Sequence, residues 1–232
     1  MARLARLAIA GLPHHLIQRG HNRQPIFVDD VDRRRYLDCL SDGARDSGVS
    51  VHAYVLLPDR VHLLATPKDE VGLSRMMQKL GRRYVAAFNQ RHGRVGTLWE
   101  GRFRCSVLEP ARYLLQCMTE LEVKPVRCGL VHQAPRFQWS SAAHHLGLRD
   151  DPLIVEHPLF WALGNTPFER EAAYRALAEQ ALTCEEDKSI EDMTLKGWAL
   201  GSKLFFEHHT HATARRLSPL PRGRPPKAVT AA

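Results

Sequence analysis

Two apolar runs broken by Pro58-Asp59 constrain this chain more than any other feature. Tyr54-Val55-Leu56-Leu57 precedes the break, and Arg60-Val61-His62-Leu63-Leu64-Ala65-Thr66-Pro67 follows it. Runs of this kind on either side of a turn-forming dipeptide read as two adjacent strands joined tightly. The period of two then puts Arg60, His62 and Leu64 on one face and Val61 and Leu63 on the other. A guanidinium and an imidazole two residues apart on one strand face suit an anion or a phosphodiester. An ordinary hairpin with its polar face in water reads equally well from these residues alone.

The flanking segments supply a domain around that hairpin. Residues 12–20 read as a strand running into the polar turn Gly20-His21-Asn22-Arg23. Neighbours on a strand point to opposite faces, so His14 and His15 are expected to divide, one packed and one solvated. Residues 29–48 are predicted helical, capped by Asp30 or Asp32, with Tyr36, Leu37 and Leu40 at helical spacing and Gly48 as the stop. A second helix is predicted over 71–92. Its stripe of Leu73, Met76, Met77, Leu80, Tyr84 and Phe88 belongs to a core, the methionines serving as gap-fillers. Its other face carries Arg75, Lys79, Arg82, Arg83 and Arg91, and with Arg94, Arg102 and Arg104 it reads as a surface that tracks phosphates. Trp99 is expected to anchor the loop before the next strand.

A strand over 103–108 and a third helix over 110–122 complete the order. Leu114, Leu115, Met118 and Leu121 form that helix's apolar side, and Tyr113 lies near its start. The sequence β-α-β-β-α-β-α is close to a ferredoxin-like split βαβ unit, an α+β fold whose antiparallel sheet carries helices on one face. Short helical patterns follow, clearest over 169–182. The expected division is a nucleic-acid-facing domain over 1–135, a helical C-terminal extension over 136–212, and a basic Pro/Arg-rich tail over 213–232 without a packed core.

Composition narrows the function classes. Of 232 residues, 44% are hydrophobic and 25% charged, which excludes a disordered or membrane-embedded chain. The net charge of +8 favours polyanionic partners, DNA first. Cys39, Cys105, Cys117, Cys128 and Cys184 include no Cys-x-x-Cys pair, so a reducing setting without disulfides or structural zinc is expected. No apolar run approaches the ~20 residues of a membrane span, and residues 1–12 are too short and Arg-interrupted for a signal peptide. A cytoplasmic protein without a membrane partner is the expectation. The tail's Pro221-Arg222-Gly223-Arg224-Pro225 resembles an AT-hook, whose arginines enter a narrow A·T minor groove.

Three stretches carry a wider resemblance: Leu57-Pro58-Asp59-Arg60-Val61-His62-Leu63-Leu64, Gly96-Thr97-Leu98-Trp99-Glu100-Gly101-Arg102-Phe103-Arg104, and Glu120-Leu121-Glu122-Val123-Lys124-Pro125-Val126-Arg127-Cys128-Gly129-Leu130-Val131. The chain resembles the HUH single-tyrosine transposases, in particular the REP-associated group, from its opening strand to Gly197-Trp198-Ala199-Leu200-Gly201 and the tail. That resemblance implies DNA binding and DNA transposition on single-stranded or hairpin substrates, with Mg²⁺ or Mn²⁺ as cofactor, and it allows a homodimer. In that family a tyrosine attacks a phosphodiester to give a 5′-phosphotyrosine, while two histidines and a helical polar residue hold the metal.

The family reads Met-Pro-Asn-His-Val-His-Leu-Leu and Tyr-Ile-Glu-Leu-Asn-Pro-Val-Arg-Ala-Gly-Leu-Val at the first and third stretches. Aligned so, His62 is the surviving metal ligand, Arg60 stands at the lost histidine, Lys124 at the polar residue and Glu120 at the tyrosine. Arginine and lysine carry charge where a ligand needs a lone pair, and an acyl phosphate on a glutamate hydrolyses too readily to conserve a bond. The expectation is a DNA-binding relative with no intact catalytic residue and no metal cofactor. Tyr113, the substitute nucleophile, lies seven residues before Glu120, about 10.5 Å along the helix. Glu120 and Lys124 are spaced to pair as i,i+4 ions. The expected DNA contacts are Arg19, Arg82, Arg83, Arg102, Arg104, Arg222 and Arg224.

Overall fold

The computed structural model describes residues 6–181, 187–213 and 215–219. Its sheet is built on the expected hairpin: β2 (Val49–Leu57) turns through Pro58-Asp59 into β3 (Arg60–Pro67). Strand β1 (His14–Arg19) lies antiparallel to β3 and pairs on its other side with β4 (Arg104–Val107). The order β2-β3-β1-β4 is that of a ferredoxin-like split βαβ unit, so the α+β reading holds. The turn is fastened from outside the hairpin, because the Gly20 and Ile26 amides donate to the Asp59 and Pro58 carbonyls at 2.8 Å each.

Helices α1 (Asp30–Ser47) and α2 (Gly72–His92) share one face of the sheet. The N-cap of α1 is Asp29 rather than Asp30 or Asp32; its Oδ1 accepts from the Val31 and Asp32 amides. Gly48 ends the helix in the left-handed region at φ 62°, as its position foretold. Leu16, Tyr54, Leu56, Val61 and Leu63 from the sheet meet Tyr36, Leu40, Met76, Leu80 and Tyr84 from these helices in one core. Trp99 stacks on Tyr84 with ring centroids 6.1 Å apart and so anchors its loop.

The opposite face is covered as well, which the sequence pattern did not convey. Helix α3 (Pro110–Arg127) packs Leu114, Cys117, Met118 and Leu121 against Ala53, Val55, Leu57 and Leu64. It runs through Pro125 to Arg127, five residues beyond the expected stop at 122, and therefore carries Lys124 and Arg127 on helical geometry. Beyond it come α4 (Ala142–His145), α5 (Pro158–Trp161), α6 (Pro167–Ala181), α7 (Asp187–Lys196) and α8 (Lys203–His209). Phe160, Tyr174 and Ile190 from this extension join the α3 core. With both faces covered, His14 and His15 are both buried rather than divided between core and solvent. No helix among the described residues is long and apolar enough to cross a membrane.

Candidate functional site

The face of the sheet under α3 and α7 gathers the residues singled out by sequence. The β1–β3 register sets Ile17 opposite His62 and Arg19 opposite Arg60, so alternation brings His15, Arg19, Arg60 and His62 to one face. His62 and His15 are fully buried and stacked, with ring centroids 5.3 Å apart. Their protons can be placed from the hydrogen bonds. The Thr194 hydroxyl donates to the Ile190 carbonyl at 2.9 Å, so its oxygen accepts from His15 Nδ1 at 2.8 Å. His15 Nε2 is then a lone pair, and it accepts from His62 Nδ1 at 3.1 Å. The remaining nitrogen, His62 Nε2, is a buried lone pair with no hydrogen-bond partner among the described residues.

Burial first, then the charge of Lys124, drives both imidazoles toward the neutral form: His15 falls to about 3, and His62 lies well below its usual 6.5. A neutral histidine presenting Nε2 is the form that binds metals. The surroundings do not suit one. Lys124, Arg60 and Arg19 occupy the neighbourhood, and no group of three or more His, Cys, Asp and Glu among the described residues is arranged to hold a cation. One lone pair among three permanent or near-permanent cations does not fit a divalent ion.

The three cations converge on one carboxylate that the sequence reading missed. Glu191 of α7 accepts from Arg19 Nη2 at 2.7 Å through Oε1 and from Lys124 Nζ at 3.3 Å through Oε2, and Arg60 Nη1 lies 3.5 Å from Oε1. Burial alone would raise the Glu191 carboxyl, but Lys124, Arg19 and Arg60 together hold it below the usual carboxylate range. Arg60 also reaches Asp59 at 3.1 Å. Glu120 binds Arg127 through both oxygens, with Arg127 Nη2 at 3.2 Å from Oε1. Arg127 also donates to the Ala181 carbonyl, which ties this buried pair to α6. Residues i and i+7 lie on one helix face, and α6 covers that face.

The remaining candidates are placed as follows. Tyr113 sits half-buried in the first turn of α3, against the apolar cluster that contains Leu114 and Leu108. Arg82, Arg102 and Arg104 are exposed. Arg83 is paired with Asp42 at 2.7 Å. Arg222 and Arg224 lie outside the described residues, as does Cys184. The signal for the missed acid was present but weak: Glu191-Asp192-Met193-Thr194 places Glu191 and Thr194 one turn apart, and both meet the site from above.

Comparisons with known proteins bear on the fold. Residues 8–115 match the family described as IS200-like transposases. A solved REP-associated tyrosine transposase bound to a REP hairpin has the same fold: TM-score 0.53, 18% identity, covering 68% of this chain and 99% of that one. A candidate transposase from Deinococcus radiodurans R1 shares 29% identity over 50% of this chain and 94% of its own, at a TM-score of 0.35 too low to bear on the fold. Comparison with curated proteins finds no match. The sequence match over residues 8–115, laid over a sheet ordered β2-β3-β1-β4, makes this part of the chain similar to the IS200-like transposases.

Proposed function

We propose that this protein binds single-stranded or hairpin DNA of the REP type and does not cut it by the metal- and tyrosine-dependent route of its relatives. The observation that carries the reading is the cluster of Arg19, Arg60 and Lys124 around Glu191 beside the lone pair of His62. Fixed cations replace a metal and its neutral ligands, so the site can hold a phosphate but has no ion to polarise it. At the position of the nucleophile, Glu120 is buried against Arg127. The relative solved with a REP hairpin supports the class of DNA. The tail arginines add minor-groove contacts in this reading, the protein works in the cytoplasm on nucleoid DNA, and a homodimer is compatible with it.

The test uses end-labelled hairpin DNA with Mg²⁺ or Mn²⁺, run on native and denaturing gels. The expected result is a shifted complex without a covalent adduct. The Arg60→His, Lys124→Asn, Glu120→Tyr triple variant should recover an adduct if the scaffold is otherwise sound. An adduct formed by the unaltered protein overturns the reading, and its loss in Tyr113→Phe would identify the nucleophile.

Glu191→Gln gives a separate prediction. A phosphate and the Glu191 carboxylate compete for the same three cations, so neutralising the carboxylate should tighten single-strand binding about tenfold at low salt. The salt dependence should steepen by about 0.7 for each added phosphate contact. Removing a charged hydrogen-bond acceptor should also cost about 1–3 kcal/mol of stability. Unchanged affinity and slope would show that these cations do not meet DNA.

A further inference from the structure

Two clefts open at the β4 edge of the sheet, one on each face. The first, about 460 Å³, is bounded by Ile17, Arg19 and Arg104 together with the end of α7. Ile17 and Arg19 alternate with His15 on the α3 side, so this cleft adjoins the Arg19–Glu191 cluster. The second, about 440 Å³, is bounded by Gln18, Ser74, Arg75 and Arg82, on the α2 side. Gln18 points the opposite way from Ile17 and Arg19 because successive residues of a strand alternate.

The two clefts share Arg6, Gly101, Arg102 and Phe103. These four residues form the rim where one sheet face passes into the other. Arg6 is fixed there: its guanidinium lies 3.9 Å from the Phe103 ring centroid, and its Nη1 reaches Ser74 Oγ at 3.4 Å. Space opens above Gly101, where a Cβ would meet nothing within 4 Å. Cations dominate the lining of the route. Glu100 is the one carboxylate among the described lining residues of the first cleft, and the second has none.

We propose that one strand of DNA crosses the sheet edge here, its backbone passing from the cleft beside α7, over Arg102, into the cleft beside α2. This rests on the DNA-binding reading above and specifies the path. The route leads from one face of a sheet to the other around a single strand edge. Duplex DNA, with a persistence length of about 150 base pairs, does not follow so sharp a turn, whereas an unpaired strand does. The cations at both ends of the route meet its phosphates, and Arg102 holds the turn.

The experiment compares the full-length protein with an Arg82→Ala, Arg102→Ala, Arg104→Ala triple variant by fluorescence anisotropy. All three side chains are exposed, so the fold should survive, which circular dichroism and thermal unfolding would verify. The probes are a labelled 20-nucleotide oligo-dT and a blunt hairpin without unpaired ends. Oligo-dT affinity is expected to fall about 10- to 100-fold at low salt, with the salt slope reduced by about 2, near 0.7 per lost phosphate contact. Blunt-hairpin affinity should change by less than about threefold. An Arg45→Ala, Arg149→Ala variant, altered at exposed cations away from the rim, should bind both probes as the unaltered protein does. A triple variant with an unchanged slope, or with equal losses on both probes, overturns the strand path while leaving DNA binding intact. An unaltered protein that binds neither probe overturns both readings.

Discussion

Acidification from pH 7 to pH 5 is expected to remove several kcal/mol of folding stability, before most carboxylates titrate. Burial holds His14 near 4, His15 near 3 and His52 near 4, and His62 is also held well below its ordinary value. Geometry also holds His14 neutral. His14 Nδ1 donates to the Leu12 carbonyl at 2.8 Å while its Nε2 accepts from the Ile9 amide at 3.1 Å. His52 bonds the Val155 carbonyl at 2.6 Å and Thr66 Oγ1 at 2.8 Å.

The sign follows from proton counting. These groups have lower pKa values folded than unfolded, so the unfolded chain takes up more protons as the pH drops. Their contribution is complete above about 6.5 and is lost progressively as pH falls from there toward 4 and below. At pH 5 each independent site has cost about 2 kcal/mol, and a few of them rival a typical net stability of about 5–15 kcal/mol. His15 and His62 share a hydrogen bond and titrate as a pair. Urea unfolding at pH 7, 6 and 5 measures the effect: the midpoint should fall steadily. A midpoint flat across that range would show that these histidines are not buried neutral.

Glu122→Ala should be the most destabilising single substitution on the extension side. The Glu122 carboxylate is 1% exposed and accepts from three side chains, two at the ends of α4 and one on α6. Oε1 takes the Ser141 hydroxyl and His145 Nδ1, the latter at 2.6 Å, and Oε2 takes the Tyr174 hydroxyl at 2.8 Å. Burial, then the charge of Glu122, pushes the Tyr174 phenol well above its usual value, which keeps it a donor. Truncation strands three buried donors at once, each worth about 1–3 kcal/mol, so a loss of about 4 kcal/mol or more is expected. For a chain of this size that is a fall of roughly 10 °C in Tm. Glu122→Gln retains an acceptor and the volume and should lose about half as much. A Tm shift below about 3 °C in Glu122→Ala would mean that the network does not fasten α6 and the Ser141 segment to α3.

The parts of this protein legible in the sequence are those set by local chemistry. Pro58-Asp59 between β-forming runs specifies a hairpin, and Gly48 stops a helix because it adopts a left-handed conformation cheaply. Alternation along β3 correctly joined Arg60 and His62. The expected stop of the third helix at 122 fell short, because packing of α3 against the sheet and α6 carries it through Pro125 to Arg127. His14 and His15 misled for a related reason: alternation assigns them to opposite faces, but only the second layer of helices decides whether either face meets water.

The site divides the same way. From the sequence alone came the charges themselves: a fixed cation at Arg60, another at Lys124, and a carboxylate at Glu120. Which acid neutralises which cation was a tertiary matter. Glu191 lies 67 residues from Lys124 and 172 from Arg19, and only the packing of α7 on β1 and β4 sets it between them. Spacing on one helix pairs neighbours three or four residues apart. A buried charge takes whichever partner the folded chain brings nearest, because the cost of leaving it unpaired in a low-dielectric interior outweighs any local preference.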